Sequence, residues 1–158
     1  MRQPKFRGIN KESGNWSYGF GWYETDYTDE FLKELKQPKQ DAVLFTESSP
    51  IICNIDSMGQ FTGLTDKEGK EIYEGDILLC ERYDENEKYT VKFGQYKQDG
   101  SGGEYRGRPC IGWYAEWIER ELTEEEEEYF AFIPEDFERT DSILSFENVT
   151  VIGNIHEN

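Results

Sequence analysis

Gly59-Gln-Phe-Thr-Gly-Leu-Thr-Asp-Lys-Glu-Gly-Lys-Glu-Ile-Tyr-Glu-Gly-Asp-Ile-Leu-Leu-Cys80 carries two turn signals between three short runs of strand-forming residues. Asp66 closes an Asx-type turn and Gly69 supplies the positive φ that reverses the chain, which predicts a hairpin with arms Gly59 to Leu64 and Lys70 to Tyr73. A second turn, Glu74-Gly75-Asp76, precedes the apolar run Ile77, Leu78, Leu79. Gly75 is therefore expected in a backbone conformation closed to residues with a β-carbon, where a buried strand begins. Gly59, Gly63, Asp66, Gly69, Tyr73, Glu74, Gly75 and Asp76 are architectural residues, and none of them performs chemistry by itself.

Moving outward, the acidic loop Asp84 to Lys88 joins Ile77–Cys80 to Tyr89–Phe93, so a second hairpin is predicted. Ile111 to Trp117 reads as a further strand. Asn148 to Ile155 reads as the last one, bent by Gly153 and Asn154. Thr123 with Glu126 matches a capping box, and the five glutamates at 124–128 either open a short helix before Pro134 or stay disordered. Towards the N-terminus, Ala42 to Thr46 and Ile51 to Ile55 are short strands separated by Ser48-Ser49-Pro50. Thr28 caps a predicted helix to Lys36, with Asp29 and Glu30 at its positive end and Pro38 beyond the other. Trp16, Tyr18, Phe20 and Trp22 alternate with period two, which places all four rings on one face of a strand.

The 158 residues suit one domain of ordinary size, or one with a small extension. Only 35% of residues are hydrophobic but 15% are aromatic, so large rings must supply much of the core. The fold class expected is mainly β, a β-rich α+β protein. The net charge of −17 is regional: residues 1–58 sum to −2 and residues 59–158 to −15, with −10 between Glu116 and Asp141 alone. Such a field repels phosphate backbones and disfavours nucleic-acid binding. No run has the length of a spanning helix, and the N-terminus lacks a signal-peptide core, so a protein without membrane association is expected. Cys53, Cys80 and Cys110 are widely separated and form no C-x-x-C pair, so buried thiols are expected.

These residues resemble the YopX-like family of phage and prophage proteins. Lys5-Phe-Arg-Gly8, Trp16 with Tyr18-Gly19, Gly59 to Leu64, Ile72 to Ile77 and Val151 to Asn158 match the family's motifs in order, across nearly the whole chain. Ser57-Met58 departs from the threonine and β-branched residue of that pattern. The resemblance implies an N-terminal extended, aromatic region over residues 1–58. It also implies an SH3-like small barrel over residues 59–158, here with an acidic insertion near 116–141. It further implies a phage or prophage gene, and so the cytoplasm of a bacterial host. It carries no catalytic residues.

His156 is the only histidine, near the end of the chain and expected in solvent, so no Ser-His-Asp triad or multi-histidine metal site is available within one chain. No phosphate-binding loop is present. Asp66, Glu68, Glu71, Glu74 and Asp76 are oxygen donors suited to Mg²⁺ or Ca²⁺, but their order is not that of an EF-hand, and no cofactor is expected. The leading expectation is a non-enzymatic interaction module acting on a host or phage protein. Its surface would comprise Lys5, Arg7, Trp16, Tyr18 and Trp22, and pairing of the N-terminal segment would give self-association. The alternatives are a nucleic-acid-binding accessory protein using that basic and aromatic face, and a metal-dependent hydrolase using the carboxylates of the central stretch.

Overall fold

The computed structural model describes residues 4–36, 40–81, 86–98, 108–118, 140–146 and 148–157. Two compact units are interleaved along the chain. The first comprises Met1–Thr65, Glu71–Glu74 and His156–Asn158, and the second Asp66–Lys70 and Gly75–Ile155.

The first unit holds two antiparallel sheets. One is built from β1 (Phe6–Ile9), β2 (Trp16–Gly19), β6 (Gly59–Thr65) and β7 (Glu71–Tyr73), in the order β2-β1-β6-β7. The other takes β3 (Gly21–Glu24), β4 (Asp41–Phe45) and β5 (Ile51–Asn54) in sequence order. Alternation sorts the first motif residue by residue. On β1, Phe6 and Gly8 face inward while Arg7 faces outward; on β2, Ser17 and Gly19 face inward while Trp16 and Tyr18 face outward. The inward side packs on Ala42, Leu44 and Cys53, with Phe6, Ile51, Ile55 and Met58 around them. Glycine is required twice here. A β-carbon on Gly8 would collide with Met58 Sδ and stand 2.9 Å from Cys53 Cβ, and one on Gly19 would collide with the Phe45 carbonyl oxygen. An isolated antiparallel bridge between Asn10 and Cys53 ties the two sheets, supported by Lys11 N donating to Ile52 O at 3.0 Å. Ser57 is buried, accepting from Ile9 N at 2.8 Å and donating to Asn54 O at 2.7 Å. A threonine would present the same hydroxyl, so the family departure at this position keeps the bond.

The helix α1 (Asp29–Glu34) is capped by the Thr28 hydroxyl, which accepts from Phe31 N at 3.4 Å. The expected hairpin is present as β6 and β7, paired antiparallel with Phe61 opposite Tyr73. The aromatic stripe, in contrast, is not one strand face. The chain changes sheets at Phe20, whose N–H donates to Phe45 O at 2.9 Å, so Trp16 and Tyr18 lie on one sheet and Trp22 on the other, opposite Leu44.

The second unit is a five-stranded antiparallel sheet in the order β11-β10-β9-β8-β12, where β8 is Asp76–Glu81, β9 Asn86–Gln98, β10 Arg108–Trp117, β11 Thr140–Ser142 and β12 Val149–Asn154. The second hairpin is β8 with β9, Leu78 lying opposite Tyr89. One face of the sheet buries Leu78, Val91, Ala115 and Val151. The barrel expected of residues 59–158 is corrected: the described strands form open sheets, with β11 and β12 as unjoined edges of this one and β6 and β7 belonging to the other unit. A bulge between Val151 and Gly153 bends β12. Gly75 enters β8 at φ +80, with its N–H on Val91 O and its carbonyl accepting from Ile155 N, both at 2.9 Å. Asp66 sets the other turn: Oδ1 accepts from Glu68 N and Lys70 N at 2.9 Å, and Oδ2 accepts from Val151 N at 3.0 Å. The glutamate run at 124–128 and most of the acidic segment 116–141 lie outside the described residues.

Candidate functional site

The outward face of the first unit's four-stranded sheet concentrates the chemistry of that unit. β1 carries Arg7, with Lys5 just before the strand, β2 places Trp16 and Tyr18 beside them, and the β6–β7 hairpin adds Phe61, Glu71 and Tyr73. Cations and rings then alternate across the strands. The Arg7 guanidinium lies 4.2 Å from the Trp16 ring centre and 4.6 Å from that of Tyr73, and Lys5 Nζ lies 5.5 Å from Phe61. Tyr73 meets Phe61 at 5.4 Å and takes the edge of Tyr18 at 5.8 Å. Trp16 Nε1 donates to Glu157 Oε1 at 2.7 Å.

Hydrogen bonds lock this face. Lys5 Nζ forms an ion pair with Glu71 Oε1, while Glu71 Oε2 accepts from the Tyr73 hydroxyl at 2.8 Å. The Lys5 bond holds the Glu71 carboxyl below its ordinary range despite partial burial. Burial, and then the bond to Glu71, push the Tyr73 phenol well up, so it is a fixed donor and never a phenolate at physiological pH.

Beside this face, along the outer side of β2, an open groove of 550 Å³ is bounded by Tyr18 and Phe20, by Glu47 in the turn between β4 and β5, and by Lys5, Glu71 and Tyr73. Tyr18 is 55% exposed and Phe20 43%, so both rings are partly open to solvent.

Of the expected surface residues, Lys5, Trp16 and Tyr18 are brought together. Arg7 joins them but is only 5% exposed, covered by two rings, and so presents little charge outward. Trp22 stands on the other sheet. Phe20, read only as part of the aromatic stripe, and Glu47 were not among the expected surface residues, since only tertiary structure brings the turn after β4 beside β2. Asp66 and Asp76 spend their carboxylates on the backbone of β12 and on Asn154 Nδ2, the latter at 3.2 Å. Among the described residues no three His, Cys, Asp or Glu side chains gather as a metal site. His156 is half-buried, not solvent-exposed as its position suggested. Cys53 and Cys80 are buried thiols, and Cys110 is a half-buried one. Among the described residues no helix is long and apolar enough to cross a membrane.

Open antiparallel sheets with one α-helix among the described residues define a mainly β protein. The chain belongs to the YopX family, whose model, described as YopX protein, matches residues 5–158. It is also similar to a solved structure, the crystal structure of protein EF1440 from Enterococcus faecalis. The two are 19% identical, the match covers 98% of this chain and 94% of that one, and the TM-score is 0.36, too low to define a shared fold. No curated protein matches the chain.

Proposed function

We propose that this is a phage- or prophage-encoded, non-enzymatic interaction protein that acts in the cytoplasm of a bacterial host and engages a protein partner through the groove beside β2. The observation that carries this reading is the pairing of exposed rings, Tyr18 and Phe20, with a rigid floor made by Lys5, Glu71 and Tyr73. Aromatic side chains anchored on a stiff sheet offer contact area at small entropic cost, which is what protein recognition uses. Nucleic-acid binding by the same face is the lesser reading, because Arg7 is covered by rings and Lys5 is engaged by Glu71. Self-association belongs to the same proposal, and light scattering that returned only an 18.6 kDa particle would remove it.

The test is affinity capture from host lysate with wild type, Tyr18→Ala and Phe20→Ser, each first shown to melt like wild type. A partner recovered by wild type and lost with either variant supports the reading. A partner retained equally by all three places the contact elsewhere, and no specific partner at all counts against an interaction role.

A further inference from the structure

The groove beside β2 has a chemistry that selects its occupant. We infer that it receives a basic side chain, arginine or lysine, from an extended segment of the partner, an inference that rests on the interaction reading above. Three rings, Tyr18, Phe20 and Tyr73, line the groove together with two carboxylates, Glu47 and Glu71, and one cation, Lys5. Because Lys5 is spent on Glu71, the lining keeps an uncompensated negative charge at Glu47, which is exposed. Glu71 stays ionised, and its two oxygens each hold one donor, leaving acceptor capacity on both.

Charge complementarity decides between occupants. An anionic group would approach Glu47 and Glu71 with no free cation in the lining. An apolar side chain would strip water from both carboxylates without pairing them. A guanidinium or ammonium instead meets ring faces whose quadrupoles attract cations, and carboxylates that accept its N–H groups. The carrier of Glu47 is pre-organised: Thr46 Oγ1 accepts from Ser48 N at 3.3 Å and from Ser49 N at 3.2 Å and donates to Ser49 O at 2.7 Å, which fixes the turn. The site therefore joins a local cation receptor to a hydroxyl-braced turn on the outer side of β2.

The experiment is a fluorescence-anisotropy titration with a labelled short peptide of alternating arginine and threonine, and with its glutamate counterpart, at low and moderate salt. The proteins are wild type, Tyr18→Ala, Tyr18→Phe, Glu47→Gln and, as a charge-matched control outside the groove, Glu12→Gln. Wild type is expected to bind the arginine peptide and not the glutamate one. Glu47→Gln should raise Kd about three- to fivefold and Tyr18→Ala about three- to tenfold, with Tyr18→Phe and Glu12→Gln close to wild type. Equal losses for Glu12→Gln and Glu47→Gln, with none for Tyr18→Ala, would mean diffuse attraction to an acidic chain and would overturn the inference. No binding of the arginine peptide, with a lysate partner still lost on Tyr18→Ala, would overturn the basic ligand alone. A lysate partner retained by both Tyr18→Ala and Phe20→Ser would overturn both readings.

Discussion

Arg7 and Tyr73 face each other at 4.6 Å, guanidinium to ring centre, and the tyrosine's hydroxyl turns the other way to Glu71 at 2.8 Å. One tyrosine thus packs a cation with its ring and bonds an anion with its tip, which ties β1 to β7 through side chains alone. A planar guanidinium with Trp16 on one side and Tyr73 near it cannot be replaced by an ammonium, which has no face to stack.

Arg7→Lys is accordingly expected to destabilise the protein by about 1–2 kcal/mol and to change Trp16 emission, while Tyr73→Phe costs about 0.5–1.5 kcal/mol for the hydroxyl bond alone. Denaturant titrations followed by tryptophan fluorescence check both. Arg7→Lys with wild-type stability would mean that the ring contacts carry no net energy.

Gly8 and Gly19 allow a sharper contrast. Both are glycine because the second sheet passes close, but the obstacle differs: Met58 Sδ, the far end of a flexible side chain, at Gly8, and the Phe45 backbone carbonyl at Gly19. Each alanine substitution is expected to cost about 1–3 kcal/mol through overpacking. Adding Met58→Ala should recover part of the Gly8→Ala loss, and no side-chain substitution should recover that of Gly19→Ala. Strictly additive melts for the Gly8 and Met58 pair would contradict this packing.

For the second unit, Gly75→Val meets two penalties. The φ of +80 is closed to a β-branched residue, and the new β-carbon would stand 3.1 Å from Asn154 Nδ2 and 3.3 Å from Ile155 Cγ1. A loss of about 1–3 kcal/mol is expected, against near neutrality for Gly21→Ala, where a β-carbon meets open space. Thermal melts of the two beside wild type decide it, and an unperturbed Gly75→Val protein would be the failing outcome.

The pH dependence has a definite sign. Burial pushes the Asp66 carboxyl up, but bonds from the backbone of Val151, Lys70 and Glu68 outweigh it, and Lys5 lowers Glu71. A carboxyl whose folded pKa is depressed adds stability that is present above its unfolded value, about 4, and is lost as pH falls through the folded value. Asp66 and Glu71 should therefore lower the melting temperature below about pH 4, while Glu74, whose carboxyl burial pushes up, acts in the opposite sense. Asp66→Asn turns an amide donor towards the N–H groups that the carboxylate accepts, so it should cost about 1–3 kcal/mol at pH 7, and its deficit against wild type should narrow at pH 3. A deficit that stayed constant across that range would show that the ionised carboxylate is not what the turn needs.

The hairpins were readable because their information is local: Asp66 and Gly69 fix one turn, and Gly75 fixes the entry to the next strand. What failed was everything set by a distant neighbour. Period two in Trp16 to Trp22 reports alternation and not the pairing partner, so the exchange of β1 for β4 at Phe20 left no mark in the sequence. Arg7 looked like surface charge because the rings that cover it include Tyr73, far along the chain. Barrel closure was equally invisible, since it depends on whether edge strands meet. Half the groove was legible, through Lys5 and Tyr18; Glu47 reaches it only through a turn with no motif of its own.

The interleaving of the two units bears on how the protein is made. A ribosome releases β1 and β2 first, and that hairpin can close early, with Arg7 stacked on Trp16 alone. The strand that brings Tyr73 emerges only after β6 and the Asp66–Lys70 turn, and Glu157, the acceptor for Trp16, comes last. The nascent chain therefore carries a half-covered arginine and an incomplete sheet edge until β7 is made. A chain halted before β7 would present that edge, with its rings uncovered, to whatever chaperone or neighbouring nascent chain is at hand.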